Sequence, residues 1–411
     1  MRKKQQTVLI PQYMKKFACI GPSCEDLCCK GNWRVYVDKA TYKKYKKLPN
    51  SEIKSLIEST IKRDKKSQND VNYAVFHFNE KGLCPLLSED NFCRIHSELG
   101  ESYLSHTCAV YPRVVNIVNN SFEKSALLSC PEVARLALLD EKGIEFEYVE
   151  DSLENLRAVT KQLFISEDIN DVQNYFWELR IFTIKTLQDR RYSLFERLLF
   201  LGIFYNKVQE RIDAGQINLI PELINSYQNL WETNELIEKF KDIPTQLHIQ
   251  MEFCKALVDY RASRGIDNER YRECLFEMLN GLQYTMDSTV EEITERYMFA
   301  YKEYYFPFIR KHEYILENYL VNHVYKNLFP FGQETVFEDY VMLIIHYSLI
   351  KLHLIGMSAY HQGLTIELVI KLISSFARTV EHNITYLQYV KELLKQNGYN
   401  TLAYMAILIK N

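Results

Sequence analysis

Eight of the ten cysteines fall between residues 19 and 130. Their order is Cys19-x4-Cys24-x3-Cys28-Cys29, then Cys84-Pro85, Cys93, Cys108 and Cys130-Pro131. Thiolates are soft ligands that suit zinc, copper(I) and iron–sulfur centres. A cluster takes four of them, and a structural zinc takes four Cys or His ligands in a tetrahedron. Eight thiols therefore suffice for two sites, or for one site with spares. The adjacent Cys28 and Cys29 point apart where the chain is extended, so one can face a metal while the other packs inward. His96 and His106 lie close to Cys93 and Cys108 and can stand in for a thiolate. Zinc ribbons usually carry two CxxC pairs, and none occurs here, which favours iron–sulfur over zinc. Cys254 and Cys274 lie far downstream and read as core residues.

A chain of 411 residues with 47% hydrophobic and 25% charged residues has ample material for a core. It does not need a metal to fold, so the clustered thiols require a local explanation. The net charge of −3 hides an asymmetry. Residues 1–130 hold 21 basic against 13 acidic residues, and the remainder 29 against 40. The basic run at Lys43, Lys44, Lys46 and Lys47 reads as a solvated helix face. It lacks the pattern of a nucleic-acid module, so no nucleic-acid partner is expected. Met1–Gln6 is basic, but only Val8-Leu9-Ile10 follows before Pro11, too short for a signal sequence. The most apolar stretch, Val341–Met357, contains His346, Lys351 and His353, and reads as a buried helix rather than a membrane span. The expected location is the cytoplasm, where thiols stay reduced and clustered Cys signals metal chemistry more often than disulfides.

The elements that must position these thiols are short and irregular. Strands are predicted at Trp33–Asp38, Tyr73–Phe78, Val114–Val118 and Phe122–Leu128, the last two joined by a turn at Asn119-Asn120. Helices are predicted at Lys39–Lys47, Ser51–Lys66 and Pro131–Leu139. From about residue 150 the pattern is helical, with a stripe at Leu364, Leu368, Val369, Leu372, Ile373 and Phe376. Pro221, Pro244, Pro307 and Pro330 read as helix boundaries, and Gly356 and Gly398 as C-terminal caps. The expected fold is mainly α: an irregular cysteine-cluster domain over residues 1–145 with a few short strands, then an all-helical domain over 146–411. No GxG occurs among the thirteen glycines, so no Rossmann-like sheet is expected.

Specific motifs add a resemblance. Pro11-Gln12-Tyr13, Phe17-Ala18-Cys19, the run Cys24–Cys29, Gly31-Asn32-Trp33 and Asp38 resemble the opening of the flagellin lysine-N-methylase family. Cys84-Pro85-Leu86-Leu87, Cys93-Arg94-Ile95, Leu99-Gly100-Glu101, the stretch Cys108–Arg113 and Ser129-Cys130-Pro131-Glu132 continue it. Glu317-Asn318-Tyr319, Leu354-Ile355-Gly356 and Glu381-His382-Asn383 extend it into the helical part. The first block alone also resembles a zinc- or iron-chelating cysteine-cluster family. The resemblance implies a protein-lysine N-methyltransferase that takes methyl groups from S-adenosylmethionine and modifies flagellin before export. It also implies a 4Fe-4S iron–sulfur cluster rather than zinc. Cys24-x3-Cys28 begins like the CxxxCxxC loop of radical S-adenosylmethionine enzymes. Position 31 is Gly31 instead of the third cysteine, so that radical chemistry is not predicted.

Methyl transfer to lysine needs a neutral amine, whose unperturbed pKa is about 10.4. The site must desolvate the ammonium or offer it a base. Tyr13, Tyr111 and His382 are the candidate catalytic residues. Trp33 is a candidate for holding the sulfonium by cation–π attraction, and Arg113 for binding the cofactor carboxylate. The competing reading is a non-catalytic or electron-transfer metal protein, iron–sulfur or zinc, whose helical body docks a partner.

Overall fold

The computed structural model describes residues 5–31, 34–65, 69–152, 159–166, 168, 170–285 and 287–411. The molecule is mainly α, with seventeen α-helices among the described residues and two small sheets. The larger sheet has five strands in the order β7-β1-β6-β5-β8. They are β1 (Gln5–Pro11), β5 (Arg113–Val118), β6 (Ser121–Ala126), β7 (Phe146–Ser152) and β8 (Val159–Leu163). β5 and β6 form the predicted hairpin, with Asn119 at φ +55 in its turn. β1 lies parallel to β6 and antiparallel to β7. The sheet is mixed, without the strand–helix alternation of a Rossmann fold.

The smaller sheet orders β2 (Val35–Val37), β4 (Ala74–Phe76) and β3 (Ile61–Arg63) as β2-β4-β3, all antiparallel. It packs with the helices Lys39–Lys46 and Glu52–Thr60 around Val37, Tyr45, Ile57 and Phe76. Asp38 caps the first of these helices, accepting from Thr41 N–H at 2.8 Å. The expected helix Ser51–Lys66 stops at Thr60, because Ile61, Lys62 and Arg63 pair with Phe76, Val75 and Ala74 of β4. Tertiary pairing there overrides local helical preference. Residues 146–411, expected to be all helix, open with β7 and β8, which join the same sheet as β1. The periodicity of β1 was hidden by its shortness, and it became a strand because two neighbours flank it.

The helical body surrounds the helix Val336–His361, which is long and apolar enough to cross a membrane, and whose most apolar window is entirely buried inside the protein. The structure moves Gly356 from a helix end to the interior of this helix. Its role is close approach: a Cβ on Gly281, the last residue of the helix Glu269–Gly281, would meet the Gly356 carbonyl oxygen at 1.9 Å. Gly398, by contrast, sits just past the helix Ile384–Gln396 with φ +67, as a helix-terminating glycine does. Cys254 and Cys274 are buried in this core at 2% and 0% exposure.

The sheet and the helices are tied by buried polar contacts. Glu123 of β6 and Arg180 of the helix Phe176–Leu187 form a two-pronged pair at 2.7 and 2.6 Å. The helix Phe306–Asn327 lies across the sheet: Tyr325 Oη donates to the Leu9 carbonyl at 2.7 Å, and Asn116 Nδ2 donates to the Lys326 carbonyl at 2.9 Å. Replacing Gly281 by Ala pushes a methyl group into backbone that cannot yield. Denaturant unfolding of Gly281→Ala is expected to show a loss of about 3 kcal/mol, at the upper end of overpacking costs. Ala at exposed Gly398 meets no neighbour but must adopt a left-handed backbone, and should cost about 1–2 kcal/mol.

Candidate functional site

The cysteines converge from separate stretches of chain. The Cys29 carbonyl accepts from Cys84 N–H at 2.9 Å, Lys30 bridges to Leu83, and Leu87 bridges to Cys93. Cys28 is the common neighbour. The Cys29 thiol donates to Cys28, which raises Cys29 and lowers Cys28. Burial first, and then the neighbouring thiols, raise Cys84 to about 11 and Cys108 to about 12, and raise Cys93 and Cys130. Cys24 is raised to about 11, first by burial, with Cys130 adding to it. Cys19 is exposed and acts on both Cys93 and Cys130. None of the ten cysteines is in a disulfide. Among the described residues, no three His, Cys, Asp or Glu side chains stand together as a ready metal site. The donor chemistry suits a thiolate-held centre, while the thiols remain outside coordinating geometry. His96 is exposed and His106 half-buried, and neither belongs to a ligand group.

The Cys24–Lys30 loop is held from outside itself. Arg378 donates to Asp26 at 2.7 Å and to the Lys30 carbonyl. Arg135 grips Glu25 with two hydrogen bonds at 2.6 and 3.2 Å. Gly31 has φ +108 and lies against the Arg378 guanidinium, 3.2 Å from where a Cβ would stand. A cysteine at this position would be strained, which gives a structural reason for the missing third thiol.

A second site lies on the other side of Arg378. A cavity of about 450 Å³ opens between the sheet and the helices Phe306–Asn327, Val336–His361 and Ile384–Gln396. At its centre Glu381 accepts from Lys326 Nζ at 2.9 Å and from Tyr319 Oη at 2.7 Å. The two charged side chains are 8% and 7% exposed. Burial alone would raise the Glu381 pKa, but Lys326, His346, His323 and the Tyr319 hydroxyl together hold it well below the usual carboxylate range. His323 and His346 meet edge to face, with centroids 5.3 Å apart. Both are lowered, chiefly by burial, and are therefore neutral at pH 7. Neither nitrogen of His346 has a hydrogen-bond partner, nor does Nδ1 of His323, although the rings are only 4% and 7% exposed. Buried polar atoms normally find partners, so these nitrogens are open to a ligand or to water. Asp339, raised to about 7 by burial, Lys161 and Lys391 complete the charged lining.

The sequence-predicted site residues divide between these places. His382 lines the cavity mouth, and burial followed by Lys326 lowers it. Tyr13 does not line it. Its hydroxyl donates to Asn322 Oδ1 at 2.7 Å and accepts from Ala126 N–H, which is a structural role. Tyr111 stays by the cysteines, its hydroxyl 3.2 Å from Ser129 Oγ. Arg113 stacks over Phe17 and contacts the Ala109 carbonyl, outside the cavity lining. Trp33 lies outside the described residues. His323, Lys326, His346 and Glu381 were not predicted as site residues. The available signal was ionisable residues inside otherwise apolar helices.

Residues 180–408 match the FliB lysine N-methylase C-terminal domain. The chain belongs to the FliB lysine N-methylase family. It is thus a protein-lysine N-methyltransferase, as the resemblance implied. It is 24% identical to the lysine-N-methylase of Salmonella typhimurium over 400 residues, 92% of this chain and 93% of that protein. The lysine-N-methylase of Salmonella choleraesuis matches to the same extent. The flagellar biosynthetic protein FliU of Salmonella muenchen is 36% identical over 143 residues, 33% of this chain and 80% of that protein. No solved structure matches. The segment shared with the FliB domain includes Lys326, His346 and Glu381 and excludes the eight clustered cysteines.

The buried imidazoles set a pH dependence. Their folded pKa values lie below the unfolded value of 6.5, so the unfolded chain binds protons first as pH falls. The stability they permit is present above about 6.5 and drains away below it. His346→Leu should remove part of this acid sensitivity, measured as a smaller fall in unfolding free energy between about pH 7 and pH 5.

Proposed function

We propose that the cavity around Glu381 and His346 is where a lysine side chain of flagellin receives a methyl group from S-adenosylmethionine, in the cytoplasm before export. The observation that carries this reading is the pair of unpartnered nitrogens on buried His346, facing a carboxylate kept ionised by Lys326 and Tyr319. When bound, S-adenosylmethionine supplies a methyl group on a positively charged sulfur. The chain's own residues must then deliver a neutral amine. An ammonium entering the cavity loses hydration, which favours its neutral form. His346, neutral and without a partner, accepts the departing proton. Its low pKa does not forbid this, because both acid and acceptor are desolvated and the charge is only relocated. Glu381 steadies that positive charge throughout, and His382 at the mouth offers a path for the proton to water.

The donor set of the N-terminal third supports a thiolate-held iron–sulfur cluster of the 4Fe-4S type, with ligands drawn from Cys19, Cys24, Cys28, Cys29, Cys84, Cys93, Cys108 and Cys130. Its role in this proposal is structural, since displacement at a sulfonium methyl moves no unpaired electron. Such a centre would hold as thiolates groups that burial, more than their mutual repulsion, now raises.

Two measurements test these statements. Anaerobically purified protein, flagellin and methyl-labelled S-adenosylmethionine should yield label on flagellin lysines. Glu381→Gln and His346→Ala should each lower the rate about a hundredfold or more while retaining helical circular dichroism, as loss of a general base or its electrostatic partner does. Unlabelled flagellin, or variants as active as the parent, would remove the assignment. Separately, iron and acid-labile sulfide should be found in near-equal amounts, and zinc alone would exclude the cluster.

A further inference from the structure

Two elements of different kind flank the cavity. One is β8, whose Thr160 and Lys161 both line it. The register slips at Thr160, a bulge that sets Val159 opposite Val115 and Lys161 opposite Asn116, so the cavity touches β8 where its pairing is irregular. β8 is the last strand of its sheet and is bonded to β5 alone. The Leu163 carbonyl accepts from Asn119 N–H at 2.8 Å, on the β5 side. Alternation back from Leu163 then turns the N–H and C=O groups of Gln162 to the open side. Val159, Thr160 and Gln162 are exposed, and no element among the described residues covers that edge.

The other flank is the helix Ile384–Gln396. Ile384, Leu387, Gln388 and Lys391 all line the cavity at i, i+3, i+4 and i+7, one face of the helix. Ile384 is 71% exposed, and Phe164, just past β8, is 65% exposed. An open strand edge beside a helix face with bare apolar side chains is a geometry that takes up extended peptides as an added strand. The opposite edge of the sheet, β7, contributes nothing to the cavity lining.

We propose that the free edge of β8 and the Ile384–Lys391 face form a docking groove for an extended segment of the protein substrate. The segment joins the sheet as a sixth strand, and a lysine side chain turns from it toward Glu381. The occupant is a peptide because the edge offers backbone groups that only another backbone can pair in series. The ionised Glu381 and the exposed Ile384 suit an ammonium flanked by apolar neighbours. This proposal rests on the methyl-transfer reading of the cavity for its purpose, and on the β8 edge for its geometry.

The test uses the full-length protein and fluorescein-labelled short peptides tiling the flagellin sequence, with no S-adenosylmethionine present. Gln162→Pro removes an outward N–H where an edge strand tolerates proline. Ile384→Glu alters the facing wall independently. Lysine-bearing peptides should bind the parent protein, and each variant should weaken binding about tenfold, the scale of one or two backbone hydrogen bonds. Hydrogen exchange should show the Gln162 amide slowed when peptide is added. In turnover with S-adenosylmethionine, Ile384→Glu should raise KM with kcat nearly unchanged. The proposal is overturned if no peptide binds, if both variants bind like the parent, or if the Gln162 amide stays unprotected. Protection that appears without peptide and grows with protein concentration would assign the edge to a second copy and overturn it as well. Peptide binding with amide protection but no methyl transfer would leave the groove standing and remove the reaction. Methyl transfer indifferent to both variants would do the reverse.

Discussion

The structure turns on one buried ion pair, Lys326 with Glu381. Both side chains are more than nine-tenths enclosed, and removing either partner would strand a charge at a cost of about 3–5 kcal/mol. The pair is therefore kept only where every surrounding element is in place. Lys326 stands near the C-terminal end of the helix Phe306–Asn327, where carbonyl groups lack partners within the helix. The sheet supplies those partners: Asn116 of β5 donates to the Lys326 carbonyl, and Lys161 of β8 donates to the Asn327 carbonyl at 3.1 Å. Side chains from two strands thus cap a helix that does not follow them in the chain. The cavity is the space that remains where this capped end, the sheet and the Glu381 segment meet.

The short π-helical stretch Ala377–Glu381 gives the pair its second connection. Arg378, at one end, reaches Asp26 and the Lys30 carbonyl of the cysteine loop, while Glu381, at the other, enters the cavity. A widened turn places the two side chains on different sides, one toward the thiols and one toward the imidazoles. π-turns recur at functional sites for this kind of reason. The cysteine region and the cavity are separate chemically, but one turn of backbone positions both.

Much of the architecture was legible because it is local. The hairpin at Asn119-Asn120, the start of the helix at Pro131 and the buried character of Val341–Met357 follow from short-range rules. The strands that were missed, β1, β3, β7 and β8, exist through pairing with distant partners, and pairing leaves little trace in a short stretch. The cysteines were visible as a group because their chemistry is conspicuous in composition. The cavity was not. Lys326 and Glu381 are 55 residues apart, and neither belongs to a motif. His346 was noticed only as an argument against a membrane span. An imidazole in an apolar helix looks the same in sequence whether it packs or binds, and only its missing partners distinguish the two. His382 was found through its neighbours Glu381 and Asn383, although Glu381 beside it is the better-placed group.

The anchoring of the cysteine loop has a consequence for biogenesis. The Asp26–Arg378 contact closes over 352 positions of chain. During synthesis at about 5–20 residues per second, the loop waits tens of seconds after emerging from the ribosome before its clamp exists. For that interval the thiols are on an untethered nascent segment, open to any assembly factor or oxidant that reaches them. The guanidinium that fastens this loop is thus among the last of its partners to be made.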